Sequence, residues 1–122
     1  MKPQDITSLS ATQLSQLIHQ RQISCEEVMG AYLEQILKLN HQVNAIVSLQ
    51  DEDKLIMQAQ EKDQAFHHTP NKGFLYGFPL APKDLAGTRG IPTTMGSPIF
   101  KNNFHTQDSV VVERMRHAGG IL

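Results

Sequence analysis

The residues best suited to chemistry in this 122-residue sequence lie in the run Gly77-Phe78-Pro79-Leu80-Ala81-Pro82-Lys83-Asp84. A lysine delivered on an apolar, proline-bearing approach can do one of two things. Its stem can lie on the apolar neighbours while the ammonium stays in water. Alternatively the ammonium is carried inward, where desolvation disfavours the charged form and the amine becomes a proton acceptor. Composition alone leaves the first reading standing. If residues 79–85 are extended, Lys83 and Asp84 point to opposite faces and do not meet, so the aspartate braces backbone instead of pairing with the lysine. Pro82 removes a backbone donor just before the lysine and implies an edge or bulge there.

Other reactive side chains make weaker candidates. His67 and His68 are adjacent, so they diverge on any regular element, and no third ligand accompanies them; a solvated turn is the simpler reading. Cys25 sits at a helix start, where a thiolate gains from the dipole, but Glu26 and Glu27 oppose ionisation and the residue reads as structural. Gly87, Gly90 and Gly96 lack the following lysine and hydroxyl residue of a phosphate-binding loop. Ser97 and Ser109 are the only serines after Lys83.

The elements that must position Lys83 have clear boundaries. Ser10 and Gln13 form a capping box with Leu9 and Leu14 as a hydrophobic staple, and Ser24 and Glu27 repeat the box with Ile23 and Val28 as the staple. Two amphipathic helices follow, with stripes Leu14, Leu17, Ile18 and Val28, Met29, Tyr32, Leu33, Ile36, Leu37. The apolar, β-branched run at residues 44–49 reads as a buried strand. A third helix spans about residues 51–66, acidic at its start as the helix dipole favours. Pro70, Asn71 and Gly73 break the chain. A strand bearing Lys83 comes next, then an ordered Gly/Pro/Thr-rich loop. In the last helix Asp108 is expected as cap, Val111, Val112 and Met115 as the inward face, and Gly119 as terminator. Gly120-Ile121-Leu122 reads as the start of a buried strand, so this helix and strand are half of a βαβ unit.

Size and charge narrow the class. One domain, or part of one, fits 122 residues. Twelve acidic residues against eleven basic ones, without a like-charged run, point away from nucleic acid and acidic membrane surfaces. A single cysteine forms no internal disulfide, no apolar run is long enough to span a membrane, and the first residues lack a signal-peptide core. A cytoplasmic protein is the expectation.

The stretch from Tyr76 to Leu122 resembles the amidase signature family, with Gly77, Pro79, Leu80, Lys83 and Asp84 in a first motif. Gly90, Thr93, Thr94, Gly96 and Ser97 stand in a second, and Asp108, Val112, Met115, Arg116, Ala118 and Gly119 in a third. The earlier helices fit as well. The resemblance implies an α/β fold of which residues 1–122 are the amino-terminal part of a single domain, with helices packing on an incomplete mixed sheet. Residues 1–70 would form a mostly helical layer, and residues 74–122 the lysine-bearing strand, the ordered loop, a helix and the start of a strand.

The resemblance also implies hydrolysis of carboxylic amides by a serine nucleophile, a second serine on a cis peptide, and Lys83 as the base at the end of the relay. It implies no metal and no cofactor. A lysine whose free pKa is about 10.4 must be desolvated to serve as that base. The family places neither of its serines at Ser97 or Ser109, so both are expected outside this sequence and the 122 residues alone are expected to be inactive. A general amidase is favoured over the tRNA-dependent amidotransferases, whose amidase component reads K-D-N and T-T-C-A-S where this chain has Lys83-Asp84-Leu85 and Thr93-Thr94-Met95-Gly96-Ser97. The substrate would be a small-molecule amide, and helix stripes without their sheet imply a homo-oligomer. The alternative is a non-catalytic short protein that uses its exposed apolar face to associate with itself or a partner.

Overall fold

The computed structural model describes residues 2–122. Five helices appear in the order α1 Pro3–Thr7, α2 Ala11–His19, α3 Cys25–Val43, α4 Glu52–Ala65 and α5 Val110–His117. Both expected capping boxes are present. Ser10 Oγ accepts from Gln13 N–H at 3.3 Å while Gln13 Oε1 accepts from Ser10 N–H, and Ser24 and Glu27 do the same at the head of α3. Asp51 caps α4 by accepting from Lys54 N–H. The short α1 has no counterpart in the periodicity, because five residues carry only one apolar anchor, buried Ile6; its signal is Pro3 at the first helical position.

α3 is the longest helix and packs against both α1 and α4. Cys25, Val28, Met29, Ala31 and Leu33 are buried along it, whereas Leu37 at the end of the expected stripe is exposed. A tertiary clasp joins α3 to α4. The Asp63 carboxylate of α4 accepts from the backbone N–H groups of Cys25 and Glu26 at 2.9 and 3.0 Å, filling two of the donors that a helix start leaves without partners.

The expected strand at 44–49 is not formed. Asn44 ends α3 in the left-handed region at φ 46°, and the Asn40 side chain then takes both the N–H and the C=O of Ile46 at 2.9 Å. These bonds turn the backbone back on the helix, and Val47 and Leu49 are exposed instead of buried. The sheet is correspondingly reduced. Among the described residues no strand is present, only isolated bridges: Pro79 with Ile121 and Arg89 with His105 in parallel sense, and Pro92 with Phe104 in antiparallel sense.

The first of these bridges sits in a short ladder. Gly77 N–H donates to Gly119 O at 3.0 Å, Ile121 N–H to Phe78 O at 2.8 Å, and Leu80 N–H to Ile121 O at 2.7 Å. Ile121 and Leu122 are buried, as the pattern of residues 120–122 leads one to expect. α5 differs from expectation at its start. Ser109, not Asp108, is the N-cap, because the Asp108 carboxylate is taken by Arg89 N–H and the Arg116 guanidinium. Val112 is fully buried and Met115 half-buried, but Val111 is 50 % exposed, so the inward face is narrower than the sequence pattern suggests.

Gly119 ends α5 at φ +96°, and a Cβ there would come within 2.7 Å of Tyr76 Cα. Gly119→Ala should therefore cost roughly 1–3 kcal/mol from the backbone conformation alone, with the clash adding to it. Urea unfolding followed by circular dichroism measures this, and an unchanged midpoint would refute the placement.

Candidate active site

The ladder carries the chain to Pro82, which has no N–H with which to continue it, and Lys83 follows. The backbone then turns, with Ala86 N–H donating to Lys83 O at 2.9 Å. The expected extended run therefore stops short of residue 85, and Lys83 and Asp84 are kept apart by a turn, not by strand alternation.

Asp84 is fully engaged by the loop that follows. Its carboxylate accepts from Thr94 N–H at 2.6 Å, from Thr94 Oγ1–H, and from Gly96 N–H at 3.3 Å. Its own carbonyl accepts from Met95 N–H at 3.1 Å. The aspartate thus braces backbone, as expected from the sequence. The hydrogen bond from the Thr94 hydroxyl, helped by the backbone donors, holds the Asp84 carboxyl below the usual carboxylate range. Asp108 plays the same part further along. Burial pushes its carboxyl up, but Arg89 N–H and the Arg116 guanidinium 2.8 Å away outweigh that and leave it lowered overall.

Lys83 lies on the rim of a cavity of about 650 Å³. One wall is the α3 face with Tyr32, Leu33 and Ile36, another the irregular segment with Ile46, and a third is formed by Leu85 and Met95. The lining is largely apolar. Lys83 itself is exposed, and among the described residues its ammonium has no hydrogen bond or ion pair. This corrects the expectation that the flanking apolar residues desolvate it: the proline-rich approach lies to one side, and none of the described residues covers the amine.

The other candidates separate clearly from this site. Cys25 is fully buried, and burial first, then the Asp63 carboxylate, pushes its thiol up to about 12. Its inertness comes from these causes and not from Glu26 and Glu27. His67 and His68 are exposed on a single turn of 3₁₀ helix after α4. Ser97 caps the short 3₁₀ turn Pro98–Phe100 by accepting from Ile99 N–H. Ser109 donates its N–H to Gly87 O at 2.8 Å. Neither serine lines the cavity. Thr94 enters the sequence reading only as a motif position, without the partner it has here, and the wall at residues 45–50 is read there as part of a strand at 44–49. The hydroxyl pair Thr93-Thr94, ten residues after an aspartate, is a usable signal for the former; nothing in the run at 44–49 distinguishes a cavity wall from a strand.

The family model described as Amidase matches residues 27–122, a span that includes the lysine segment, the Asp84 loop and α5. The chain belongs to the amidase family. It is 32 % identical over 122 residues, all of this chain and 25 % of the relative, to an acylamidase of Rhodococcus erythropolis. It is 38 % identical over 115 residues, 94 % of this chain and 23 % of the relative, to the A-type component of a glutamyl-tRNA(Gln) amidotransferase of Acinetobacter baylyi. The chain spans about a quarter of the length of these amidase-family relatives. Among solved structures, it superposes on the native peptide amidase of Stenotrophomonas maltophilia with a TM-score of 0.82 at 24 % identity, covering 93 % of this chain and 23 % of that one. An amidase family protein of Bacillus anthracis gives 0.79 at 24 % identity, covering 98 % of this chain and 24 % of that one. These two likenesses bear on the fold alone.

The engagement of Asp84 has a consequence for acid stability. Because the folded state holds the carboxyl below its unfolded value, the stabilisation is fully present above an unfolded pKa of about 4 and is lost as pH falls through the lower folded value. Asp84→Asn should flatten this dependence. The drop in unfolding midpoint between about pH 5 and about pH 2 should be smaller in the variant than in the parent; equal drops would show that Asp84 is not held as described.

Proposed function

We propose that these residues are the amino-terminal part of a single amidase domain, in which Lys83 is the base of a serine–cis-serine–lysine relay that hydrolyses the carbon–nitrogen bond of carboxylic amides. The observation that carries this is the geometry around Lys83. The lysine stands on the rim of an apolar cavity while its neighbouring carboxylate is consumed by Thr94 and Gly96, so no ion pair ties up the amine. In the complete enzyme a serine hydroxyl attacks the amide carbonyl. Its proton passes through the second serine to Lys83 Nζ and on to the departing amine. Water then attacks the acyl-serine, releasing the carboxylic acid and restoring the serine. The serines, and the surface that shields Lys83 from water, would come from residues outside this sequence.

Within the family we assign the protein to the hydrolases of small amides and not to the amidotransferases, on the strength of Leu85 and Met95, which depart from the K-D-N and T-T-C-A-S patterns of the latter. The exposed apolar side chains around the cavity, Val47, Leu49, Leu85 and Met95, support association of the 122-residue chain with itself. Sedimentation should show a concentration-dependent dimer or larger species; a monomer across a hundredfold range of about 1–100 µM would contradict this.

The relay makes a sharper prediction for the protein expressed from its full reading frame. Lys83→Ala should lose roughly three or more orders of magnitude in turnover of a simple amide with circular dichroism unchanged, since base and nucleophile act as a unit. Lys83→Arg should lose as much, because a guanidinium stays protonated and accepts nothing. The 122 residues alone should turn over no amide. Substantial activity in Lys83→Arg would sink the assignment of Lys83 as base.

A further inference from the structure

Asp84 follows directly on the residue read as the base, and its two carboxylate oxygens are held unequally. Oδ1 accepts from Thr94 N–H at 2.6 Å, a short bond that fixes it on the loop. Oδ2 accepts from Thr94 Oγ1–H and, at 3.3 Å, from Gly96 N–H. The bond from Gly96 is long, and the same N–H is shared with Thr94 Oγ1, also at 3.3 Å. The Thr94 hydroxyl is therefore the principal restraint on Oδ2, and it is the largest cause of the lowering of the Asp84 carboxyl. The loop bends to bring these donors together. Met95 lies in the left-handed region at φ +53°, uncommon for a residue with a side chain, and its N–H reaches the Asp84 carbonyl at 3.1 Å between the two carboxylate donors.

What this restraint prevents is an ion pair. Lys83 and Asp84 are adjacent, yet among the described residues the lysine ammonium has no hydrogen bond or ion pair. Of the described residues lining the cavity, Asp84 is the only carboxylate, and Tyr32 of α3 is the only titratable side chain besides Lys83 and Asp84. The wall at residues 45–50 and Leu55 of α4 bring no charge. A carboxylate within about 4–6 Å of an amine favours its protonated form, and a protonated amine accepts no proton. An Oδ2 free to turn toward the base would work against it.

We propose that Thr94 is a positioning residue for amide hydrolysis: its hydroxyl keeps Oδ2 of Asp84 on the loop and so keeps the neighbouring negative charge off Lys83 Nζ. The inference rests on the reading of Lys83 as base. It gives Thr94 a part in reactivity as well as in loop order, and the two parts separate by pH. Loss of loop order alone lowers turnover by the same factor at every pH, whereas a carboxylate released beside the base moves the acid limb of the rate profile upward.

The test is the pH dependence of kcat/KM for one simple amide, measured on the protein from its full reading frame, with circular dichroism to establish folding. Thr94→Val, which has nearly the same shape without the hydroxyl, should move the acid limb up by about half to one pH unit, a loss of about threefold to tenfold at a fixed pH on that limb. The loss should shrink toward the alkaline plateau. Thr94→Ser, which keeps the hydroxyl, should leave the limb where the parent has it. Asp84→Glu carries the carboxylate a methylene away from its donors and should move the limb in the same direction as Thr94→Val. When Thr94→Val is combined with Asp84→Asn the limb should return, because no charge remains to pair. A limb that stays in place in Thr94→Val, or in Asp84→Glu should Thr94→Val not fold, overturns the role of Thr94 while leaving Lys83 as base. So does a loss of equal size at every pH, or a limb that fails to return in the double variant. Substantial turnover by Lys83→Arg removes the base itself, and the role of Thr94 with it.

Discussion

Three backbone hydrogen bonds between residues 77–80 and 119–121 hold the molecule's two halves in register, and the rest of the arrangement depends on them. They are the nearest thing to a sheet among the described residues, and they need close approach on both sides. Gly77 lies against α3, where a Cβ would meet Cys25 Sγ at 2.3 Å; Gly119 lies against Tyr76. The ring of Tyr76 packs edge-on against Phe66 and its hydroxyl donates to Lys62 O at 2.6 Å, tying the ladder to the end of α4. Helical layer, ladder and α5 thus meet where two residues without side chains let backbones approach.

Beyond the ladder, order is kept by carboxylates in place of strands. The loop between Lys83 and α5 has too many prolines and glycines to pair as a sheet, yet its backbone donors cannot be left empty. Asp84 satisfies one stretch of it and Asp108 another, while Asn103 and Thr93 exchange two bonds at 2.9 and 3.0 Å. Charged acceptors bind backbone N–H groups more strongly than neutral ones. A loop held at two charged points and one neutral pair can present Lys83, Leu85 and Met95 in a defined relation without regular secondary structure.

What is legible in the sequence follows the range of the interactions concerned. The starts of α2, α3 and α4 are readable because each cap closes within four residues. The run at 44–49 is not, since its composition favours a strand while the outcome is decided by Asn40, whose side chain reaches six residues ahead. Asp108 looks like a cap in the sequence for a related reason: its partners, Arg89 and Arg116, lie 19 and 8 residues away, and only the fold brings them together. The lysine segment is recognisable as a motif, but the exposure of Lys83 depends on what surrounds it in space, which a motif does not encode.

The tight seat of Cys25 between Gly77 and the Asp63 clasp gives the molecule an internal clock for its own opening. A thiol that is wholly inaccessible and hard to ionise reacts with alkylating reagents only when its surroundings come apart. Its labelling rate therefore follows separation of α3 from α4 and from the ladder, while fraying of the termini or of the loop goes unrecorded. Any partner or ligand that tightens this junction would slow the reaction at one defined atom.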